Sequence, residues 1–222
     1  SRGDIIWCQE LEIFVVASYG ASSIQISSDL INWSFTTIPN NRLLNYICWS
    51  PELRVFVIGQ FRGSSIVTSH DGGASWNQRV LNSSLDLNFI VVCWSAELKI
   101  FLVISTGGLV YNSRDGINWS TQPSIGGGGW NGICWSKQLG LFVLVGSDGP
   151  TYVKTSSDGI IWTNRTVPSP ARQWQQITWA PEIGLFIAVA TNATNQPIIT
   201  SPDGINWTTR TVPSRLVNPF YG

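Results

Sequence analysis

Apolar residues fall in short runs along the whole chain, and none follows the three-to-four-residue spacing of an amphipathic helix. Residues 132–135, 141–146, 152–156 and 160–165 are four such runs. They are rich in β-branched and aromatic residues, and Gly, Pro, Ser, Asp or Asn separates them, so each predicts a strand. The pattern recurs. One anchor is Ser27-Ser-Asp-Leu-Ile-Asn-Trp33, followed by Ser69-His-Asp-Gly-Gly-Ala-Ser-Trp76, Ser113-Arg-Asp-Gly-Ile-Asn-Trp119, Ser156-Ser-Asp-Gly-Ile-Ile-Trp162 and Ser201-Pro-Asp-Gly-Ile-Asn-Trp207. The closing tryptophans, Trp33, Trp76, Trp119, Trp162 and Trp207, are 43, 43, 43 and 45 residues apart. A second anchor, Trp7, Trp49, Trp94, Trp135 and Trp179, keeps the same phase.

Four strands in a unit of that length are the signature of a β-propeller blade. The expected fold is all-β: a single five-bladed β-propeller domain with four antiparallel strands per blade. The blades fall at about 1–41, 42–86, 87–127, 128–171 and 172–222. Pro219 aligns with Trp174, and Arg2 holds the same place before Trp7, so the chain starts and stops at one phase of the repeat. Five blades are thus expected to fit one closed ring.

Composition narrows the function. Of 222 residues only 12% are charged, and thirteen Lys+Arg balance thirteen Asp+Glu. A disordered chain would be more polar, and a nucleic-acid binder working through bulk charge would be basic. No apolar run approaches the length that spans a membrane. The chain does not begin with Met, which reads as a processed chain or part of a longer protein.

The Ser-x-Asp-(x)-Gly-x-x-Trp element resembles the Asp-box repeat of sialidase-like (BNR-type) propellers. Residues 69–76 match the eight-residue form; the other copies are one residue shorter, and the first has Leu30 in place of Gly. Trp179-Ala-Pro-Glu-Ile-Gly-Leu-Phe186 with residues 201–208 is also similar to tandem repeats of uncharacterised microbial and viral proteins. The resemblance implies that Asp29, Asp71, Asp115, Asp158 and Asp203 are structural, in turns joining third and fourth strands. It also implies that ligands bind at the opposite end.

Nine of the thirteen acids answer to the repeat: those five, and Glu10, Glu52, Glu97 and Glu182 three residues after the first tryptophan, where the fourth blade has Gln138. Of the remainder, Asp4, Asp86 and Asp148 are expected near the opposite end. A glycosidase needs two facing carboxylates, and nothing singles out a pair. A sialidase also needs an arginine cluster and a tyrosine nucleophile, and no Arg-Ile-Pro-like segment precedes the first Asp box. No catalytic residue, metal ligand or cofactor is assigned. His70, the one histidine, has no second histidine to complete a site. Gly126-Gly-Gly-Gly129 precedes a strand, not a helix, and reads as a flexible loop, not a phosphate cradle. Arg2-Gly3-Asp4 leads into a strand. Cys48, Cys93 and Cys134 precede the first tryptophan as small buried residues; four free thiols are expected, with Cys8 and Cys48 the only pair to consider.

The loops away from the Asp boxes vary most. Those joining blades end with Leu44, Phe89, Trp130 and Trp174 at one aligned position, followed by Asn45, Ile90, Asn131 and Gln175. An aromatic ring beside an amide suits a sugar: the ring covers a pyranose face, and the amide both donates to and accepts from hydroxyls. Candidate ligand residues are therefore Trp130, Asn131, Trp174, Gln175, Phe89 and Asn45, unless the aromatics cap the core between blades instead. The leading expectation is a non-catalytic, lectin-like module that binds a glycan or glycoprotein, extracellular or surface-associated. The alternatives are a protein-interaction or self-assembling propeller of a fibre or virion, and a glycoside-active enzyme. Of six Asn-x-Ser/Thr sequons, Asn82 and Asn192 lie in loops and are the candidate glycan acceptors.

Overall fold

The computed structural model describes residues 3–18, 23–39, 43–61, 63–81, 89–147, 153–168, 173–191 and 198–210. These form twenty strands in five four-stranded antiparallel sheets, each in simple meander order, with no helix among the described residues. The first blade contains β1 (Gly3–Cys8), β2 (Ile13–Ser18), β3 (Ser23–Ser27) and β4 (Ser34–Thr37). The second contains β5 (Leu43–Ser50), β6 (Val55–Phe61), β7 (Ser65–Ser69) and β8 (Asn77–Val80). The third is β9 (Phe89–Ser95), β10 (Ile100–Ser105), β11 (Val110–Ser113) and β12 (Ser120–Gln122). The fourth is β13 (Trp130–Ser136), β14 (Leu141–Gly146), β15 (Val153–Ser156) and β16 (Thr163–Arg165). The fifth is β17 (Gln173–Ala180), β18 (Leu185–Thr191), β19 (Ile198–Ser201) and β20 (Thr208–Arg210).

The blades group into two compact units, Ser1–Ser124 with the first three and Ile125–Gly222 with the last two. Within each unit a blade packs on both faces where it has two neighbours, so its second strand is a continuous apolar run. In β6, Phe56 and Ile58 meet Val15 and Ala17 of the first blade, while Val55 and Val57 meet Phe101 and Val103 of the third. In the second unit, Val143, Val145 and Val153 pack against Trp174, Phe186 and Ile199. Each blade repeats one aromatic contact: the first-strand tryptophan lies on the second-strand phenylalanine, as Trp49 on Phe56 with centroids 4.2 Å apart and Trp179 on Phe186 at 4.5 Å. Such tilted pairs add stabilisation beyond burial.

The last strand of the fourth blade is shorter than the sequence predicts. It begins at Thr163, not residue 160, because the backbone N–H groups of Ile160 and Ile161 both donate to Asp158 Oδ1, 2.8 Å away, and so belong to the turn.

Candidate functional site

The two tryptophans expected to offer stacking faces are buried. Trp130 opens β13, and its Nε1 donates to Gly126 O at 2.9 Å. The glycine run before it is not a free loop but a cover for the indole. A Cβ on Gly128 would lie 2.6 Å from Trp130 Cζ2, and one on Gly146 would lie 2.3 Å from Gly128 O, so only glycine allows this approach. Lys154 Nζ lies 5.6 Å from the Trp130 ring centroid and donates to Asn164 Oδ1; burial lowers its pKa. Trp174 is equally enclosed, and its Nε1 is buried with no hydrogen-bond partner among the described residues.

The amide beside Trp130 is taken up by the backbone. The sheet register shifts between Trp130 and Gly132 and between Trp174 and Gln176. Asn131 and Gln175 are therefore the extra residues of β-bulges, which turn a side chain out of its alternating direction. Asn131 is buried, and its Nδ2 donates 3.0 Å to Trp174 O of the next blade. Asn45, at the equivalent bulge of β5, is also buried. With Trp130, Trp174, Asn45 and Asn131 buried, these positions do not present an aromatic–amide pair open to solvent, and Asn131 joins two strands instead. Phe89 begins β9, and its side chain lies outside the described residues, as do Asn82, Asn192, Asp86 and Asp148.

The acids of the Asp turns are committed as well. In the third blade's Asp turn, Ser113 Oγ donates to Asp115 Oδ1 at 3.0 Å, and the N–H groups of Ile117 and Asn118 reach the same oxygen at 2.8 Å. Asn118 Nδ2 donates to Oδ2 at 2.8 Å. Asp29 and Asp203 repeat this set, Asp158 keeps all but the amide bond, and Asp71, in the longer form, accepts one backbone N–H and the hydroxyls of Ser69 and Ser75. Partial burial pushes the Asp203 carboxyl up, but hydrogen bonds from Asn206 and Ile205 outweigh it and hold the group at about 2. The glycine of each turn has φ between 72° and 94°, and in the first blade Leu30 takes φ 63° in its place. Each closing tryptophan then donates Nε1 to the carbonyl three residues back. The sequon amides of Asn32, Asn118 and Asn206 are thus occupied within their turns.

The repeated glutamate has a role that spacing alone does not reveal. Trp49 Nε1 donates 3.0 Å to Glu10 Oε2 of the preceding blade, and Trp94 Nε1 donates 3.0 Å to Glu52 Oε2. Gln138, the apparent exception, accepts from Trp179 Nε1 at 2.7 Å. The first-strand tryptophan of one blade and the acceptor three residues after that of the preceding blade are thus the two halves of one joint. Asp4 serves another joint: its Oδ2 accepts from Ile47 N at 3.1 Å, and burial raises its pKa.

All four cysteines are free thiols, and burial pushes the Cys93 thiol up to about 12. Among the described residues no group of His, Cys, Asp and Glu could hold a metal ion.

The surface that remains lies at the turns. In a four-stranded meander the first-to-second and third-to-fourth strand turns share one end. In the second unit this end carries Leu139, Ile160, Ile161, Ile183 and Ile205, all exposed. Beside them is a groove of about 490 Å³. The outer strand residues Asn164 and Arg165, the following Val167 and Pro168, and Ile205 to Trp207 line it. Arg165 Nε donates to Thr155 Oγ1 at 2.8 Å, which orients its guanidinium along the groove wall. Such a surface can bury apolar side chains while its rim offers amide and guanidinium donors.

Five antiparallel four-stranded sheets packed face to face within their units define a β-propeller with five blades. Solved structures agree. The chain is similar to YCF48 bound to D1 peptide, with a TM-score of 0.66 and 18% identity, covering 89% of this chain and 62% of that one. It is similar to a catalytically inactive virginiamycin B lyase from Staphylococcus aureus, solved with quinupristin, at a TM-score of 0.75, 12% identity and coverage of 92% and 67%. It also resembles a chain of a nidogen/laminin complex at a TM-score of 0.68, 11% identity and coverage of 89% and 76%. Identities this low establish the fold alone. No family model matches the sequence, and no curated protein matches it.

Proposed function

We propose that this chain is a non-catalytic recognition module that binds a protein partner through the turn end of its fourth and fifth blades. The observation that carries the reading is the cluster of aliphatic side chains at the turn tips there, with Ile161 72% and Ile183 63% exposed. Exposed apolar patches rimmed by polar groups mark interaction surfaces. The acids placed by the structure support a non-catalytic role, since the repeated ones mostly hold turns and joints. The glycan reading loses the support of Trp130 and Trp174, whose rings have no open face. Repeated turns on a rigid scaffold are well suited to presenting such a surface.

The test compares the parent chain with an Ile161→Asp, Ile205→Asp double variant of unchanged melting temperature. Both are immobilised as bait in extracts of the source and applied to a glycan array. The reading expects a protein captured by the parent and lost by the variant, with no glycan bound. Glycan binding shared by both proteins, or capture that survives the double substitution, contradicts it.

A further inference from the structure

The groove between the fourth and fifth blades lies wholly within the second unit, and its polar groups point to one kind of occupant. Arg165 is the one charged residue that lines it. Arg165 stands opposite Val153 in the β15–β16 pair, and Val153 packs toward the fifth blade. Cross-strand partners share a sheet face, so the half-buried Arg165 looks to that blade as well. Its Nε donates to Thr155 Oγ1 at 2.8 Å, while Nη1 and Nη2 have no partner among the described residues. A guanidinium held at Nε offers its two terminal nitrogens as a fixed fork, the geometry from which a carboxylate accepts two bonds. No carboxylate lines the groove. The Asp203 carboxylate of the adjoining turn is already filled by Ser201 Oγ, the N–H groups of Ile205 and Asn206, and the Asn206 amide.

The remaining groups suit a peptide. Asn164 Oδ1 accepts from Lys154 Nζ, which leaves the Asn164 Nδ2 as a donor. Asn206 Nδ2 donates to Asp203, which leaves the Asn206 Oδ1 as an acceptor. The first can meet a peptide carbonyl and the second a peptide N–H. Val167, Pro168 and Ile205 supply apolar surface along the same groove. A polyphosphate fits less well, because the groove has a single cation and the chain has no basic excess.

We propose that this groove takes an extended acidic segment of a partner protein, in which an Asp or Glu pairs with Arg165 Nη1 and Nη2 and an aliphatic side chain packs on Val167 and Ile205. Alternate residues of an extended chain share a side, so the acid and the aliphatic residue have one residue between them. The inference rests on the reading of this end as a protein-binding surface and specifies the segment that it takes.

A random-peptide library displayed on phage and panned on the whole chain tests this. Enriched sequences are expected to carry Asp or Glu with Val, Ile or Leu two positions away. A fluorescein-labelled synthetic peptide of the enriched sequence then gives affinities by fluorescence polarisation. Replacing its acid by the matching amide should weaken binding at least about tenfold, and so should Arg165→Gln. Arg165→Lys keeps the charge without the fork and should also bind less tightly than the parent. Arg79, whose Nε is held by Thr68 Oγ1, has the same place in the second blade. Arg79→Gln removes the same charge and should bind like the parent. Equal losses from Arg79→Gln and Arg165→Gln would mean that binding follows net charge, and would overturn the proposal. Enrichment of no sequence, enrichment of neutral or basic sequences, or unchanged affinity of a folded Arg165→Gln overturns it too. The wider reading fails separately. A protein captured from extracts by the parent and by Arg165→Gln, but not by the Ile161→Asp, Ile205→Asp variant, leaves the surface standing and removes the acidic segment alone.

Discussion

Asp203 shows at the scale of one residue what the repeat invests in. Its carboxylate collects two backbone N–H groups, an amide and a hydroxyl within one turn. Those bonds hold its pKa at about 2, below the value of about 3.9 expected unfolded. A depressed carboxyl contributes stability above its unfolded pKa and loses that contribution as pH falls through the folded one. Resistance to urea should therefore decline between about pH 4 and pH 2. Asp203→Asn should be less stable at neutral pH and show a shallower decline over that window. Equal slopes for the two proteins would mean that the turn does not depend on the charge. This chemistry was legible in the sequence, because Ser, Asp, Gly and Trp at fixed offsets have one geometric use. The fate of Asn131 was not, since a bulge leaves no mark in a strand's composition and yet decides where the amide points. The glycine run was misread for a similar reason: nothing local shows that it packs over an indole.

At the scale of elements, strand number, order and phase followed from the short apolar runs and the two anchors, while the joints between blades did not. A glutamate three residues after a tryptophan reads as an ordinary turn acid. Its partner is the tryptophan of the next blade, about one repeat away, and only the packed sheets bring the two together. The fourth blade's Gln138 indicates that the joint needs an acceptor, not a charge. Glu52→Gln should thus leave stability unchanged, whereas Glu52→Ala should cost about 1 kcal/mol, the net worth of one hydrogen bond. Thermal unfolding of the three proteins checks this. A glutamine variant as weak as the alanine one would show that the joint relies on ionisation.

At the scale of the molecule, this chain devotes its repeated aromatics and acids to holding turns and blades together and leaves aliphatic tips at the turns exposed. Fold and turn chemistry come from the repeat, so they are readable from one sequence. A binding surface lies where copies of the repeat differ or where their tips converge, and that depends on packing. The account rests on Trp130 being part of the core and Ile161 part of the surface. The most direct measurement is equilibrium unfolding in urea of Trp130→Ala beside Ile161→Ala. The account predicts a loss of about 3–5 kcal/mol for the first, as for other buried large-to-small changes. It predicts a change within about 0.5 kcal/mol for the second. A Trp130→Ala protein as stable as the parent would contradict it and return that indole to the surface as a contact residue.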